Sequence, residues 1–142
     1  MSPTLKGDSF HNGDWILTEK LNYWLRAPRR WEVVTFRNKE GSQIMKRVIG
    51  LPGETVAIRD RRLQVDGETL IRPPTVPIVK YYAYGNLFRG KPAACGDGYY
   101  VLGDDSKDSQ DSRFEGPLDP DHITGRAWLI VWPPERMGWV KM

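Results

Sequence analysis

Ile44-Met45-Lys46-Arg47-Val48-Ile49-Gly50-Leu51-Pro52-Gly53-Glu54 sets β-branched residues around two cations and then stops on Gly-x-Pro-Gly. Ile and Val suit the pleated, half-buried surface of a sheet, and Gly and Pro punctuate it. Ile44 to Ile49 therefore reads as a strand closed by a turn. Side chains alternate along a strand, so Ile44, Lys46 and Val48 share one face while Met45, Arg47 and Ile49 share the other. An ammonium between two apolar β-branched neighbours loses hydration, and its pKa falls from the ordinary ~10.4. A strand lysine also commonly lies on an exposed edge or snorkels into water, so the strand alone leaves both readings of Lys46 open. Arg47 reads as a surface charge.

Strand signals continue on both sides of this run. Upstream are Trp15 to Thr18, after the Gly13-Asp14 turn, and Glu32 to Phe36, after Pro28-Arg29-Arg30. Downstream, Thr55 to Ile58 and Arg62 to Val65 precede Asp66-Gly67, a dipeptide suited to a two-residue hairpin, with Glu68 to Ile71 returning. Pro73, Pro74 and Pro77 then impose an extended connection. Tyr99 to Leu102 resumes the regular structure, and Arg126 to Trp132 ends it at Pro133-Pro134. No segment of ten or more residues carries a helical period. The expected fold is one mostly antiparallel β domain over residues 1–142, with an excursion at about 60–97.

The chain's 142 residues suffice for one real core, and six Trp with six Tyr supply bulky side chains to fill it. A net charge of +3 is mildly basic and singles out no partner. Cys95 is the only cysteine, so no intrachain disulfide forms, and two histidines do not make a zinc set with it. No metal or other cofactor is implied. The longest apolar run, Ala127 to Trp132, falls far short of the roughly 20 residues that span a bilayer.

Gly103-Asp104-Asp105-Ser106-Lys107-Asp108-Ser109-Gln110-Asp111-Ser112-Arg113 is the second dense stretch. Such composition most often makes a solvated turn. Asp104, Ser106, Asp108, Gln110, Ser112 and Glu115 also stand at the alternate positions of a calcium loop. Against that, Ser109 occupies the place where such a loop needs Gly, and Lys107 adds a positive charge.

Taken in order, Met1-Ser2-Pro3-Thr4-Leu5, Lys46-Arg47-x-x-Gly50-x-Pro52-Gly53 and Gly103 to Arg113 resemble the motifs of type I signal peptidases. Members of that family cut leader peptides from exported proteins. Gly116-Pro117-Leu118-Asp119-Pro120 and Ile123-x-Gly125-Arg126-Ala127 resemble the family as well, so the likeness covers most of the chain outside the excursion. Asp105 departs from it, standing where the family has Asn. The resemblance implies a compact antiparallel sandwich or partly open barrel, with the 60–97 excursion as a variable, non-catalytic insert.

It also implies a Ser-Lys pair, in which a neutral lysine takes the proton of a serine hydroxyl. Carried over residue by residue, Lys46 is the general base and Ser109 the hydroxyl that orients it. Asp104, Asp111 and Arg113 are the supporting ion-pair set, with one arginine fork serving two carboxylates. Met1, Leu5, Ile44 and Met45 would line the substrate pockets; the alternative is that they are core residues, a reading as good as the first for Ile44. In the family's first motif the serine precedes the Met, so the nucleophile is expected just before Met1, and the chain as given is expected to be inactive. Ser2 fills a different register. The implied partners are signal peptides of exported preproteins and a membrane, reached through an anchor upstream of Met1. No nucleic acid is implied. The implied location is the outer side of the cytoplasmic membrane. A pilin-processing conjugative-transfer peptidase and a degenerate, peptide-binding homologue remain the alternatives.

Overall fold

A computed structural model describes Leu5 and residues 13–20, 26–38 and 40–142. Among them run ten strands: β1 Trp15–Glu19, β2 Val33–Arg37, β3 Gln43–Gly50, β4 Thr55–Arg59, β5 Arg62–Val65, β6 Glu68–Thr69, β7 Ala93–Ala94, β8 Tyr100–Leu102, β9 Ile123–Trp132 and β10 Gly138–Trp139. The single α-helix described, α1, is one turn long, Ser112–Glu115. All strand pairings are antiparallel. One sheet has the order β1-β9-β2-β3-β8, with β10 also on β9, and the other has the order β6-β5-β4-β7. Neither sheet closes into a barrel. No described helix is long and apolar enough to cross a membrane.

The turns follow from their residues. Pro52 and Gly53 occupy the two centres of a type II turn: Gly53 has φ +85°, and the Glu54 N–H donates to the Leu51 carbonyl. Asp66 and Gly67, both at positive φ, make the tight hairpin expected between β5 and β6. Asp60 and Arg61 do the same between β4 and β5 without a glycine to announce it. Gly50 lets the two sheets approach, because a Cβ there would lie 2.5 Å from Cys95 Sγ and from Val56.

Two features differ from the sequence expectation. Strand β6 stops at Thr69, so Ile71 is left largely in solvent rather than in the returning strand. Strands β7 and β10 were not anticipated, since two residues are too few to show a period. The second sheet runs from Thr55 to Ala94, so it takes in one strand ahead of residue 60.

The main core lies between the sheets, where Ile49, Tyr100 and Leu102 meet Val56, Ile58, Leu63 and Val65. On the first sheet, a cluster of Val34, Val48, Tyr99 and Val101 covers one face. A cluster of Leu5, Val33, Ala127 and Ile130 covers the other. Strand β3 is thus buried on both faces from Lys46 onward, so both of its cations are placed inside the protein.

Candidate active site

Strand β3 delivers Lys46, and its neighbours strip the amine of water. Val34 lies directly across on β2 and is fully buried, and Val48 follows on the same face. Lys46 itself is only 9% exposed. Its Nζ donates to Ser109 Oγ at 2.7 Å, and no carboxylate lies within ion-pair distance among the described residues. Burial lowers the Lys46 pKa, with the Asp111 charge pulling it partly back and the Arg113 charge pushing it down again.

Ser109 reaches the amine because β8 ends early. β8 pairs with β3 only along Arg47–Gly50, and the chain then turns at Gly103. A Cβ on Gly103 would lie 2.0 Å from Ser109 Oγ, so the hydroxyl occupies space that any other residue at 103 would fill. Beyond that turn, the β8 side of Gln43–Lys46 has no partner strand among the described residues.

The loop is held by two ion pairs, and here the sequence reading needs correcting. Arg47 is fully buried, and its fork grips Asp104 through Nε–Oδ1 at 2.9 Å and Nη2–Oδ2 at 2.7 Å. Its Nη1 donates to the carbonyls of Trp31 and Lys141. It is no surface charge. Alternation had already put it on the face of Ile49, and Ile49 lies in the inter-sheet core. Asp104 therefore does not share the Arg113 fork. Arg113 serves Asp111 alone, at 2.8 Å through both Nε and Nη2, while Asp111 Oδ2 also accepts from the Gly103 N–H. Asp111 caps α1 as well, accepting from the Arg113 N–H.

Sequence reasoning also missed the other side of the clamp. Arg113 Nη1 donates to the Ser106 hydroxyl and to the Ser106 and Tyr82 carbonyls, and the Tyr82 N–H donates to Ser106 Oγ. Asn86 Nδ2 donates to the Ser112 carbonyl and its Oδ1 accepts from the Tyr100 hydroxyl. Gly85 packs so closely that a Cβ would lie 2.0 Å from the Arg113 carbonyl oxygen. Ser and Asn among turn residues carry no sequence signal for such contacts. The alternate side chains of the calcium reading are committed elsewhere: Asp104 to Arg47, Ser106 to Arg113, and Ser112 Oγ to the Val101 N–H. Asp105, the departure from the motif, points its charge into solvent.

The expected pocket residues separate. Ile44 lines a cavity of about 250 Å³ together with Phe36, Val101, Gln110 and Leu118, on the face that carries Lys46. Met45 packs with Leu5 in the opposite cluster, where Leu5 is 1% exposed and so a core residue. Met1 and Ser2 lie outside the described residues.

The chain is similar to several known proteins. A family model described as "Signal peptidase, peptidase S26" matches residues 1–132. The chain is 32% identical to signal peptidase I of Leptolyngbya laminosa, over 97% of its own length and 67% of that protein's. It is 31% identical to signal peptidase I of Bacillus caldolyticus, over 94% and 75%. A crystal structure of a signal peptidase I from Enterococcus faecalis V583 superposes with a TM-score of 0.54 at 28% identity, over 71% of this chain and 97% of that one. The family model over residues 1–132, with a relative 32% identical over 97% of the chain, makes this chain a member of the signal peptidase family, peptidase S26.

Proposed function

We propose that this domain cleaves leader peptides from exported proteins with a Ser-Lys pair in which Lys46 is the general base. The observation that carries the reading is the Lys46 Nζ contact to Ser109 Oγ at 2.7 Å inside an apolar setting. A lysine so placed is neutral at a pH where an exposed one is charged, and a neutral amine has a lone pair for a serine proton. Ser109 fixes where that lone pair points. By motif register the attacking serine is the residue immediately before Met1. Its oxygen bonds to the scissile carbonyl as its proton passes to Nζ. The proton then goes to the leaving amine, and water hydrolyses the acyl-enzyme with Lys46 again as base.

The unpaired β8 side of Gln43–Lys46 offers a sheet edge to an extended substrate. The cavity beside Ile44 offers room for one of its side chains. The domain works at the outer side of the cytoplasmic membrane, on an anchor that precedes Met1.

The test uses a chain extended upstream so that Ser directly precedes Met1, with an otherwise identical chain carrying Ala there. A peptide with a small-residue leader junction is the substrate. The Ser chain cleaves it, while the Ala chain, residues 1–142 alone and Lys46→Ala in the Ser chain lose about 10²-fold to 10⁴-fold or more. The rate rises with pH through the lowered Lys46 pKa. A rate flat from about pH 6 to 9, or Lys46-dependent cleavage by residues 1–142 alone, overturns the assignment.

A further inference from the structure

Arginines in this protein fall into two populations. On and around the first sheet six of eight are paired: Arg26 with Glu32, Arg30 with Glu54, Arg47 with Asp104, Arg113 with Asp111, Arg126 with Glu19 and Glu32, and Arg136 with Asp14, while Arg29 and Arg37 have no carboxylate within 4.0 Å among the described residues. In the second sheet and its connections, Arg59, Arg61, Arg62, Arg72 and Arg89 have no carboxylate within 4.0 Å among the described residues. Between residues 59 and 91 the sequence has seven Lys and Arg against three Asp and Glu. The whole chain is only +3, so the rest is slightly acidic. The surplus positive charge of the protein is gathered in this region.

Three of those arginines converge on a cavity. Arg61, Arg62 and Arg72 line a space of about 290 Å³ whose other walls include buried Trp31 and Leu63 and half-buried Leu70. Arg61 also sits over the Tyr82 ring, 5.5 Å from its centroid, which fixes the approach of its guanidinium. Next to this ring of cations, Ile71 is 87% exposed, and Ile78 is 80% exposed in the same connection. An exposed Ile71 beside three arginines without carboxylate partners, of which Arg72 also donates to the Pro73 and Val76 carbonyls, over an apolar floor matches an anionic amphiphile. A purely polar polyanion would use the arginines and leave the Trp31–Leu63–Leu70 wall and both isoleucines in water.

We propose that this cavity seats the phosphate of an anionic phospholipid and so docks the second sheet on a membrane surface. Arginine forks hold the phosphate oxygens, and Ile71 and Ile78 enter the headgroup boundary. The inference rests on the reading of a domain that works at a membrane. Its test involves no cleavage, so either can fail alone.

Residues 1–142 are floated with phosphatidylcholine vesicles, with or without one third phosphatidylglycerol. Binding is expected to the anionic vesicles only. Arg61→Gln/Arg62→Gln should weaken it roughly twentyfold, from about fivefold per cation near an anionic surface. Lys20→Gln/Arg37→Gln removes the same charge from exposed sites on or beside the first sheet that do not line the cavity, and should change it less than threefold. Ile71→Ser, at a position too exposed to affect folding, should weaken vesicle binding without altering its salt dependence. Equal loss in the two double variants would mean net charge alone and would overturn the site. So would equal binding to neutral vesicles, full competition by inorganic phosphate, or retention on polyglutamate or nucleic acid without vesicle binding.

Discussion

Lys46 and Arg47 are neighbours on one strand, both buried, and the protein treats them in opposite ways. Arg47 faces the core side and receives a bidentate carboxylate and two carbonyls, so its fork makes at least four hydrogen bonds. Lys46 faces β2 and the Ser109 loop and receives one hydroxyl. Burying a charge is costly unless it is paired, so the first site pairs its cation and the second lowers the pKa of its amine. One strand thus separates a paired cation from the proposed general base by a single step of the pleat. Arg113 adds to the difference: its charge lowers the Lys46 pKa and opposes that of its partner Asp111, which raises it.

The sharpest way to break this comparison is to unpair the structural cation. Asp104→Ala leaves the Arg47 guanidinium buried without its carboxylate, and should cost about 3–5 kcal/mol in urea unfolding. Arg47→Met with Asp104→Leu removes both charges and should recover most of that loss. If Asp104→Ala costs under about 1 kcal/mol, Arg47 is not the buried anchor described above.

Gly103→Ala attacks the other member of the pair through space alone. The added methyl must displace Ser109, whose oxygen would be 2.0 Å away. Overpacking of this kind costs about 1–3 kcal/mol, and in a chain carrying the serine the cleavage rate should fall to the level of Ser109→Ala. A Gly103→Ala enzyme with an unchanged rate would show that Ser109 does not orient Lys46.

Much of the first sheet could be read from residue types. Long runs such as Glu32–Phe36, Ile44–Ile49 and Arg126–Trp132 carry β-branched patterns, and Pro52-Gly53 and Asp66-Gly67 carry their turn chemistry openly. The two-residue strands and the Asp60-Arg61 turn depend on tertiary pairing and leave no local trace. At the site, alternation located Lys46 correctly on the face of Ile44 and Val48. It gave the face of Arg47 too, but whether that face meets water depends on a second sheet folding over it. Nor could spacing decide which arginine serves which aspartate. Residues 104, 111 and 113 are close in sequence, yet the partner of Asp104 comes from 57 residues away.

Lys46→Met sharpens the comparison on the stability side. The folded protein lowers the Lys46 pKa below that of the unfolded chain, so between the two values the unfolded state binds more protons. Wild-type stability therefore carries its full penalty at and below the lowered pKa and recovers as pH rises toward ~10.4. Lys46→Met, similar in length and uncharged, should be more stable than wild type by about 1 kcal/mol at neutral pH, less what the unpartnered Ser109 hydroxyl costs. That advantage should shrink to nothing near pH 10. A constant difference across pH 6 to 10 would mean that Lys46 keeps its proton in the fold.

The smallest expected effect tests whether the second sheet's connections assist the chemistry. Asn86 ties the Gly85–Gly90 turn to the Ser112 carbonyl and to the Tyr100 hydroxyl, three residues from Ser109 along the loop. Asn86→Ala removes both bonds at a largely exposed residue and should cost about 0.5–1.5 kcal/mol. If the turn only adds stability, the cleavage rate and its pH profile stay put. If it steadies the Ser109 loop over Lys46, the maximal rate should fall severalfold with KM little changed, because Asn86 does not line the cavity beside Ile44. Asn86→Asp keeps the acceptor for Tyr100 but loses the donor to Ser112, so a rate matching Asn86→Ala would assign the effect to the Ser112 tie.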